Sequence, residues 1–309
     1  MDGRWAVGID IGRTNFRAGL VDGDGTLAGE LRELTDVAGG PDGVLAQAVR
    51  AVERLSGGIE LAGVGVGIAG QCDVDRGVVR CGPNLFWPDV PFQQRLEDAL
   101  EVPVVMRNDV IMATVGEWRH GAGRGCRDLV AVMVGTGIGG GAVVDGRLLL
   151  GASGFGGHFG HLSVHLDGPR CGCGRRGCVE AYASGCGLAA RAMEAPELPN
   201  SVLSREAVID GAAVARAAAA GDPLATRLRD EAAAALASAV GSVVNCLNPR
   251  RVVLGGTVLR GLPGLFDAAA RGVAEACLPS HRDRLEVVGA TLGDGAGMIG
   301  AASWALVPP

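Results

Sequence analysis

Residues 158–180, HFGHLSVHLDGPRCGCGRRGCVE, hold three of the chain's five histidines and three of its nine cysteines. His161, Cys171, Cys173 and Cys178 follow one another in a metal-ligand order, and glycines at 172, 174 and 177 let the backbone bend round a single point. One imidazole and three thiolates suit tetrahedral Zn²⁺. Four protein ligands close the shell, so such an ion would clamp a loop and contribute to folding without activating water. His158 and His165 stand close enough in sequence to compete with His161 for the imidazole position. Cys72, Cys126, Cys186, Cys246 and Cys277 lie apart and read as small apolar packing residues.

Two further stretches have the composition of phosphate-binding turns. Asp10, Gly12 and Thr14, in DIGRTN, place a carboxylate, a glycine and a hydroxyl where backbone N–H groups can face an anion. Gly135, Thr136, Gly137 and Gly139, in GTGIGGG, repeat the arrangement after another apolar run. Each motif is weak alone in a chain with 52 glycines; the duplication is what raises its weight. Asn108 and Asp109 stand where a strand gives way to a helix, a place where such residues cap the helix and where a carboxylate could also serve as a base.

Positioning these groups requires alternating strands and helices. Trp5–Gly12, Asn15–Val21 and Leu27–Leu34 read as a three-stranded meander, turned by AspGly and GlyThr steps at 22–26. Pro41 opens a helix with Val44, Leu45, Ala48, Val52 and Leu55 on one face, and Leu61–Ile68 is an all-apolar strand. Val102–Met106 is a short strand leading to Arg107, Asn108 and Asp109. Leu129–Val134, Ala142–Asp145 and Leu148–Leu150 predict a second meander about half the chain length from the first. Helices are expected at Ala212–Ala220 and Pro223–Cys246, strands at Arg251–Leu254 and Leu285–Gly289, and a C-terminal helix starting within 292–301.

The pattern from His161 to Glu180, HxxxxxxxxxCxCGxxGCxE, resembles the signature of the ROK family (repressors, open reading frames, kinases), whose enzymes include bacterial glucokinases. The resemblance extends from residue 10 to about 300 and implies an α/β, two-lobed actin-like ATPase (ribonuclease H-like) fold. Each lobe would be a mixed sheet with flanking helices, with nucleotide and sugar in the cleft. Residues 1–118 would form a small lobe, joined by 295–309, and 119–294 a large lobe carrying the zinc loop. The implied activity is transfer of a phosphoryl group from ATP, with Mg²⁺, to the C6-type primary hydroxyl of glucose or a close analogue.

The same resemblance assigns roles. Asp10, Gly12 and Thr14 become the first phosphate element, Gly135, Thr136, Gly137 and Gly139 the second, and Gly255 and Gly256 the turn near the adenosine. Asn84, Asn108, His161 and Glu180 would hold sugar hydroxyls, and Asp109 would take the proton from the primary hydroxyl. Arg13 and Asn15 stand where the family usually has Gly and Lys, and GHFGH replaces the usual GExGH. His158 therefore occupies the place of a sugar-binding Glu: either it meets a modified substrate, an amino sugar such as kanosamine or glucosamine or a valiolone-type carbocycle, or it packs away or joins the zinc and leaves Asn84, Glu180 and His161 to hold ordinary glucose.

Composition limits the other classes. A net charge of −6 without a basic run gives no face for a polyanion, so nucleic acid is not an expected partner. No apolar run reaches the roughly 18 residues of a membrane span, no signal-peptide pattern opens the chain, and grouped cysteines fit a reducing cytoplasm. A sugar-responsive repressor would need a winged helix before the first strand, where only about four residues stand. A non-catalytic sugar sensor is the remaining alternative. A homo-oligomer, with the dimer as its simplest form, is the expected assembly.

Overall fold

The structure is a computed structural model that describes residues 4–74, 76–82, 85 and 87–308. Its chain runs β1 (Trp5–Ile11), β2 (Asn15–Asp22), β3 (Leu27–Leu34), α1 (Gly40–Ser56), β4 (Leu61–Ile68), then three short strands, β5 (Gln71–Asp73), β6 (Val78–Gly82) and β7 (Trp87–Val90). α2 (Phe92–Leu100), β8 (Val104–Asn108) and α3 (Asp109–His120) follow. Next come β9 (Leu129–Val134), β10 (Ile138–Val144), β11 (Arg147–Leu148), α4 (Val179–Ala183), α5 (Gly185–Glu194), α6 (Gly211–Ala219) and α7 (Pro223–Leu247). β12 (Arg251–Gly255), α8 (Thr257–Gly261), α9 (Leu265–Ala276), α10 (Pro279–Arg282), β13 (Glu286–Gly289) and α11 (Ala296–Leu306) complete it.

Contacts divide the chain into two compact units. The first comprises the residues up to Gly125, Arg147–Gly157 and the residues from Thr291 on; the second comprises Cys126–Gly146 and His158–Ala290. Relative to the division expected at 118/119 and 294/295, the first unit also takes 119–125, 291–294 and the inserted segment 147–157. Its Leu148 and Leu150 pack on the cluster of Ile111, Met112, Val115, Ala301 and Trp304.

In the first unit the sheet order is β3-β2-β1-β4-β8, antiparallel across β3, β2 and β1 and parallel across β1, β4 and β8. α1 covers it with Val44, Ala48, Ala51 and Val52, the face that the spacing predicts. α11 lies against β1 and β4 and against α3, and glycines set that distance. A Cβ on Gly8 would collide with the Met298 carbonyl oxygen, and one on Gly65 with that of Ala301. Glu117, buried near the end of α3, accepts hydrogen bonds from Ala122 N (2.8 Å), Thr291 N (3.1 Å) and Leu292 N (2.8 Å) and so fixes where the C-terminal segment rejoins the unit.

The stretch 71–90 holds β5, β6 and β7. Its three short strands form a separate sheet of order β5-β6-β7. Leu85 and Trp87 are buried, and Trp87 stacks on Phe92 with ring centroids 5.4 Å apart. In the second unit β9 pairs antiparallel with β10 and parallel with β12, and β12 pairs parallel with β13. α7, whose length and alanine content were legible from the sequence, buries Leu228, Leu236, Val240 and Val244 in this unit's core.

Candidate functional site

Asp10 lies near the end of β1, directly opposite Arg17 of β2 in the antiparallel register. Its Oδ2 is 3.6 Å from Arg17 Nη1, and Arg17 Nη2 reaches Asp294 Oδ2 at 3.5 Å. Between the strands the turn closes tightly, Gly12 N donating to Asn15 O at 2.9 Å. Thr35 braces it from β3's end: its hydroxyl donates to Gly12 O (2.7 Å) and its amide to Thr14 O (3.0 Å). Gly297, in the first turn of α11, leaves room for the carboxylate, since a Cβ there would stand 2.9 Å from Asp10 Cγ. The Asp10 side chain keeps only 17% of its surface exposed. Burial first, then the neighbouring Asp109, push its pKa up to about 7; Arg17 opposes them, and Asp294 adds to the rise.

Asn108 and Asp109 divide the work at the β8–α3 junction. Asn108 is the N-cap: its Oδ1 accepts from Val110 N (3.0 Å) and Ile111 N (3.3 Å), and its Nδ2 donates to Gly70 O (3.0 Å). Asp109 is the first residue of the helix, with Oδ1 2.9 Å from Val110 N. Because Asn108 already supplies the cap, Asp109 is a carboxylate that the fold does not require. Burial raises its pKa, partly offset by hydrogen bonds from the helix N-terminus and Asn108.

In the second unit His161, Cys171, Cys173 and Cys178 bring one ligand atom each within 4.8 Å of one another. A Zn–S distance of about 2.3 Å puts two thiolates on a tetrahedron about 3.8 Å apart, with a slightly shorter edge to an imidazole nitrogen. Cys173 Sγ to Cys178 Sγ is 3.7 Å, and Cys171 Sγ to His161 Nδ1 is also 3.7 Å. The donor set therefore fits zinc in chemistry and in spacing. His161 belongs to this group; His158 and His165 do not, among the described residues. Instead His158 is exposed and stacks on His161, ring centroids 6.2 Å apart at 26°. Of the cysteines expected to be packing residues, Cys72 and Cys277 are buried, whereas Cys186 and Cys246 are exposed and Cys126 is intermediate.

Glu180 follows the last cysteine by two residues and sits on α4, whose N-cap is Cys178. Its Oε2 accepts from Ile138 N at 2.8 Å, and its Oε1 lies 4.0 Å from His161 Nδ1. The glycine turn is shorter than expected. Gly135 N donates to Gly137 O at 2.9 Å, and from Ile138 onward the chain is already β10, with Gly139 paired to Met133. Gly139 is thus a strand residue and not part of the turn, because the ladder with β9 already begins at Ile138, opposite Val134. Gly256 has φ 103°, which an L side chain rarely adopts, and packs on the Val134 backbone; Gly255 ends β12. Asn84 lies outside the described residues.

Sequence reading did not find Arg17, Thr35, Asp294 or Gly297. A signal existed only for Arg17, since a tight turn after Asp10 places it seven residues on, in the opposing position of a hairpin.

The sequence model of the ROK family matches residues 6–307. The chain belongs to the ROK family. This ROK chain is 36% identical to the glucokinase of Thermotoga maritima over 303 residues, covering 96% of each sequence. It superposes on the ROK hexokinase of Thermus thermophilus with a TM-score of 0.84, 34% identity and 97% of each chain covered. The ROK family glucokinase of Streptomyces griseus, solved in complex with glucose and AMPPNP, gives a TM-score of 0.82 at 32% identity, covering 96% of this chain and 98% of that one. The mixed sheets and flanking helices of the two units are those of the actin-like ATPase fold. No helix among the described residues is long and apolar enough to cross a membrane.

Proposed function

We infer that this ROK chain is a hexose kinase that moves the γ-phosphoryl group of MgATP to a C6-type primary hydroxyl. One observation carries the reading: Asp109 is a partly buried carboxylate, its pKa raised by desolvation, at a helix N-terminus that Asn108 already caps. Phosphoryl transfer asks little more of a protein than a positioned hydroxyl, a nearby carboxylate and neutralised phosphates. Asp109 Oδ1 is engaged by Val110 N, and Oδ2 takes the hydroxyl proton as the sugar oxygen bonds to the γ-phosphorus. The bond from that phosphorus to the β,γ-bridging oxygen breaks, and ADP leaves. As phosphate elements we assign Asp10, Gly12 and Thr14 of the first unit and, separately, Gly135, Thr136 and Gly137 of the second, whose Gly255 and Gly256 form the turn assigned to the adenosine. To sugar hydroxyls we assign Asn84 and Asn108 of the first unit and, separately, His161 and Glu180 of the second. His161, Cys171, Cys173 and Cys178 would hold a zinc ion that would fix this loop and the His161 ring, whose other ring nitrogen would remain for a hydroxyl.

ADP release with a panel of hexoses tests this directly. Turnover that depends on a sugar with a free primary hydroxyl, and stops with the 6-deoxy analogue, is expected. Sugar binding without any turnover would instead identify a non-catalytic sensor.

The raised carboxylates set the pH dependence. Asp10 and Asp109 must be ionised, so kcat/KM is expected to fall about tenfold per unit once pH drops below about 7, the value to which Asp10 is raised. The linkage to stability has the opposite sign from an ordinary ion-paired carboxylate. Between the unfolded value, near 3.8, and about 7, the native state holds a proton that the unfolded chain has released, so stability falls as pH rises through that window. A pH–rate profile that stays flat down to pH 5 would contradict this assignment.

His158 favours a substrate other than plain glucose. It joins neither the metal cluster nor the core, and burial of one side, then the His161 ring, lower its pKa, so it stands as a neutral imidazole beside His161. A neutral ring offers one donor and one acceptor, against an ionised acceptor in a Glu. An amino sugar of the kanosamine or glucosamine type, or a valiolone-type carbocycle, keeps the primary hydroxyl while changing the rest of the ring. His158→Glu is expected to shift the ratio of kcat/KM values toward glucose by roughly tenfold, the scale of one hydrogen bond to a charged group. Wild type preferring glucose to every such analogue, with that ratio unchanged in the variant, would rule the modified substrate out.

A further inference from the structure

The glycine turn is held on three sides by one short stretch of chain. Glu180 Oε2 accepts from Ile138 N at 2.8 Å, Gly185 N donates to Gly135 O at 2.8 Å, and Cys186 N donates to Thr136 O at 3.2 Å. Gly137 completes the fit, because a Cβ there would stand 2.8 Å from Glu180 Oε2. The gripping stretch is α4 with its two flanks: Cys178, a zinc ligand in the proposed site, is its N-cap, and Ser184 caps the next helix by accepting from Gly187 N at 2.9 Å. The other oxygen of Glu180 lies 4.0 Å from His161 Nδ1 and 3.8 Å from Cys171 Sγ. One carboxylate thus touches the metal-ligand cluster with one oxygen and a backbone amide of the glycine turn with the other.

We propose that Glu180 is a positioning residue for the nucleotide: by holding the Ile138 amide against the zinc knot, it sets the shape of the 135–137 turn before any sugar arrives. The inference rests on the reading of 135–137 as a phosphate element and adds a second role to a residue assigned so far to the sugar. A buried amide that loses its acceptor is costly, and the turn relaxes to find another. Nucleotide affinity then depends on Glu180 with no sugar present. Sugar and nucleotide also become coupled, each raising the other's affinity by the same factor, because hydroxyls held by Glu180 restrict the carboxylate that holds the turn.

The test is calorimetric titration of the full chain, zinc-loaded, with the magnesium complex of AMPPNP in the absence of sugar. Glu180→Ala is expected to weaken binding about tenfold. Glu180→Gln, whose amide oxygen can still accept from Ile138 N, should stay within about threefold of wild type while losing most of its sugar affinity. In steady state, Glu180→Ala should raise the KM for ATP as well as that for the sugar. Zinc content and the thermal midpoint of each variant separate this effect from simple unfolding, and the rescue by Gln does so independently. Equal AMPPNP affinity in wild type and Glu180→Ala would overturn the proposal and leave Glu180 a sugar ligand only. Failure of wild type itself to bind AMPPNP would instead overturn the kinase reading on which it rests.

Discussion

Asp109→Asn is expected to lower kcat by roughly 10²–10⁴-fold, the range that a general base contributes, while the protein remains folded. The structure separates the two outcomes. Asn108 keeps the N-cap through Val110 N and Ile111 N, and an amide at position 109 can still accept from Val110 N. Stability should hold or rise at pH 8. The folded pKa of Asp109 is raised above its unfolded value, so ionisation of this group opposes folding at high pH, and a neutral amide removes that opposition. A catalytic carboxylate that costs stability is the usual trade at an active site. Steady-state turnover and thermal melts of both proteins at pH 8 check the two halves together. Near-normal turnover in the variant would reduce Asp109 to a helix residue and remove the proposed base.

The second large effect concerns the metal knot. Cys173→Ser is expected to lose one zinc per chain and on the order of 4 kcal/mol of stability, the scale at which loss of a structural metal stands out among point substitutions. Activity should fall with it, because Cys178 is the N-cap of α4 and α4 carries Glu180. Cys173 is exposed whereas Cys178 is buried, so the substitution removes a ligand without opening a hole in the core. Elemental analysis of wild type, chelator titration and thermal melts give the check. Carefully purified wild type without zinc would sink the metal assignment.

Local chemistry was legible in the sequence wherever the spacing itself was the structure. The ligands His161, Cys171, Cys173 and Cys178 lie within 18 residues, and short-range geometry alone gathers them. β3 and β4 span the stretches that alternation and apolar runs predict, because their ends are set by adjacent turns and glycines. The cap at Asn108 and the helix from Pro223 also follow from residue type at a junction. Short strands were lost: β5, β6 and β7 have three to five residues each, too few for periodicity to register.

Tertiary structure alone decided what surrounds each functional group. Arg17 meets Asp294 across 277 residues, and Glu117 receives Thr291 across 174, partnerships that no window of sequence contains. Glycine roles changed for the same reason. Gly8, Gly65 and Gly297 serve the close approach of α11 and the Asp10 carboxylate, and Gly137 yields space to Glu180, so a glycine-rich motif was as much about packing as about phosphate. A residue's type records which interactions it is able to make, whereas its pKa, its free lone pairs and its neighbours are set by burial and by chain segments that only the fold brings near. Sequence thus determined the chemistry available to this ROK chain, and the fold decided that Asn108 caps while Asp109 is left over, and that Glu180 faces both the metal knot and the glycine turn.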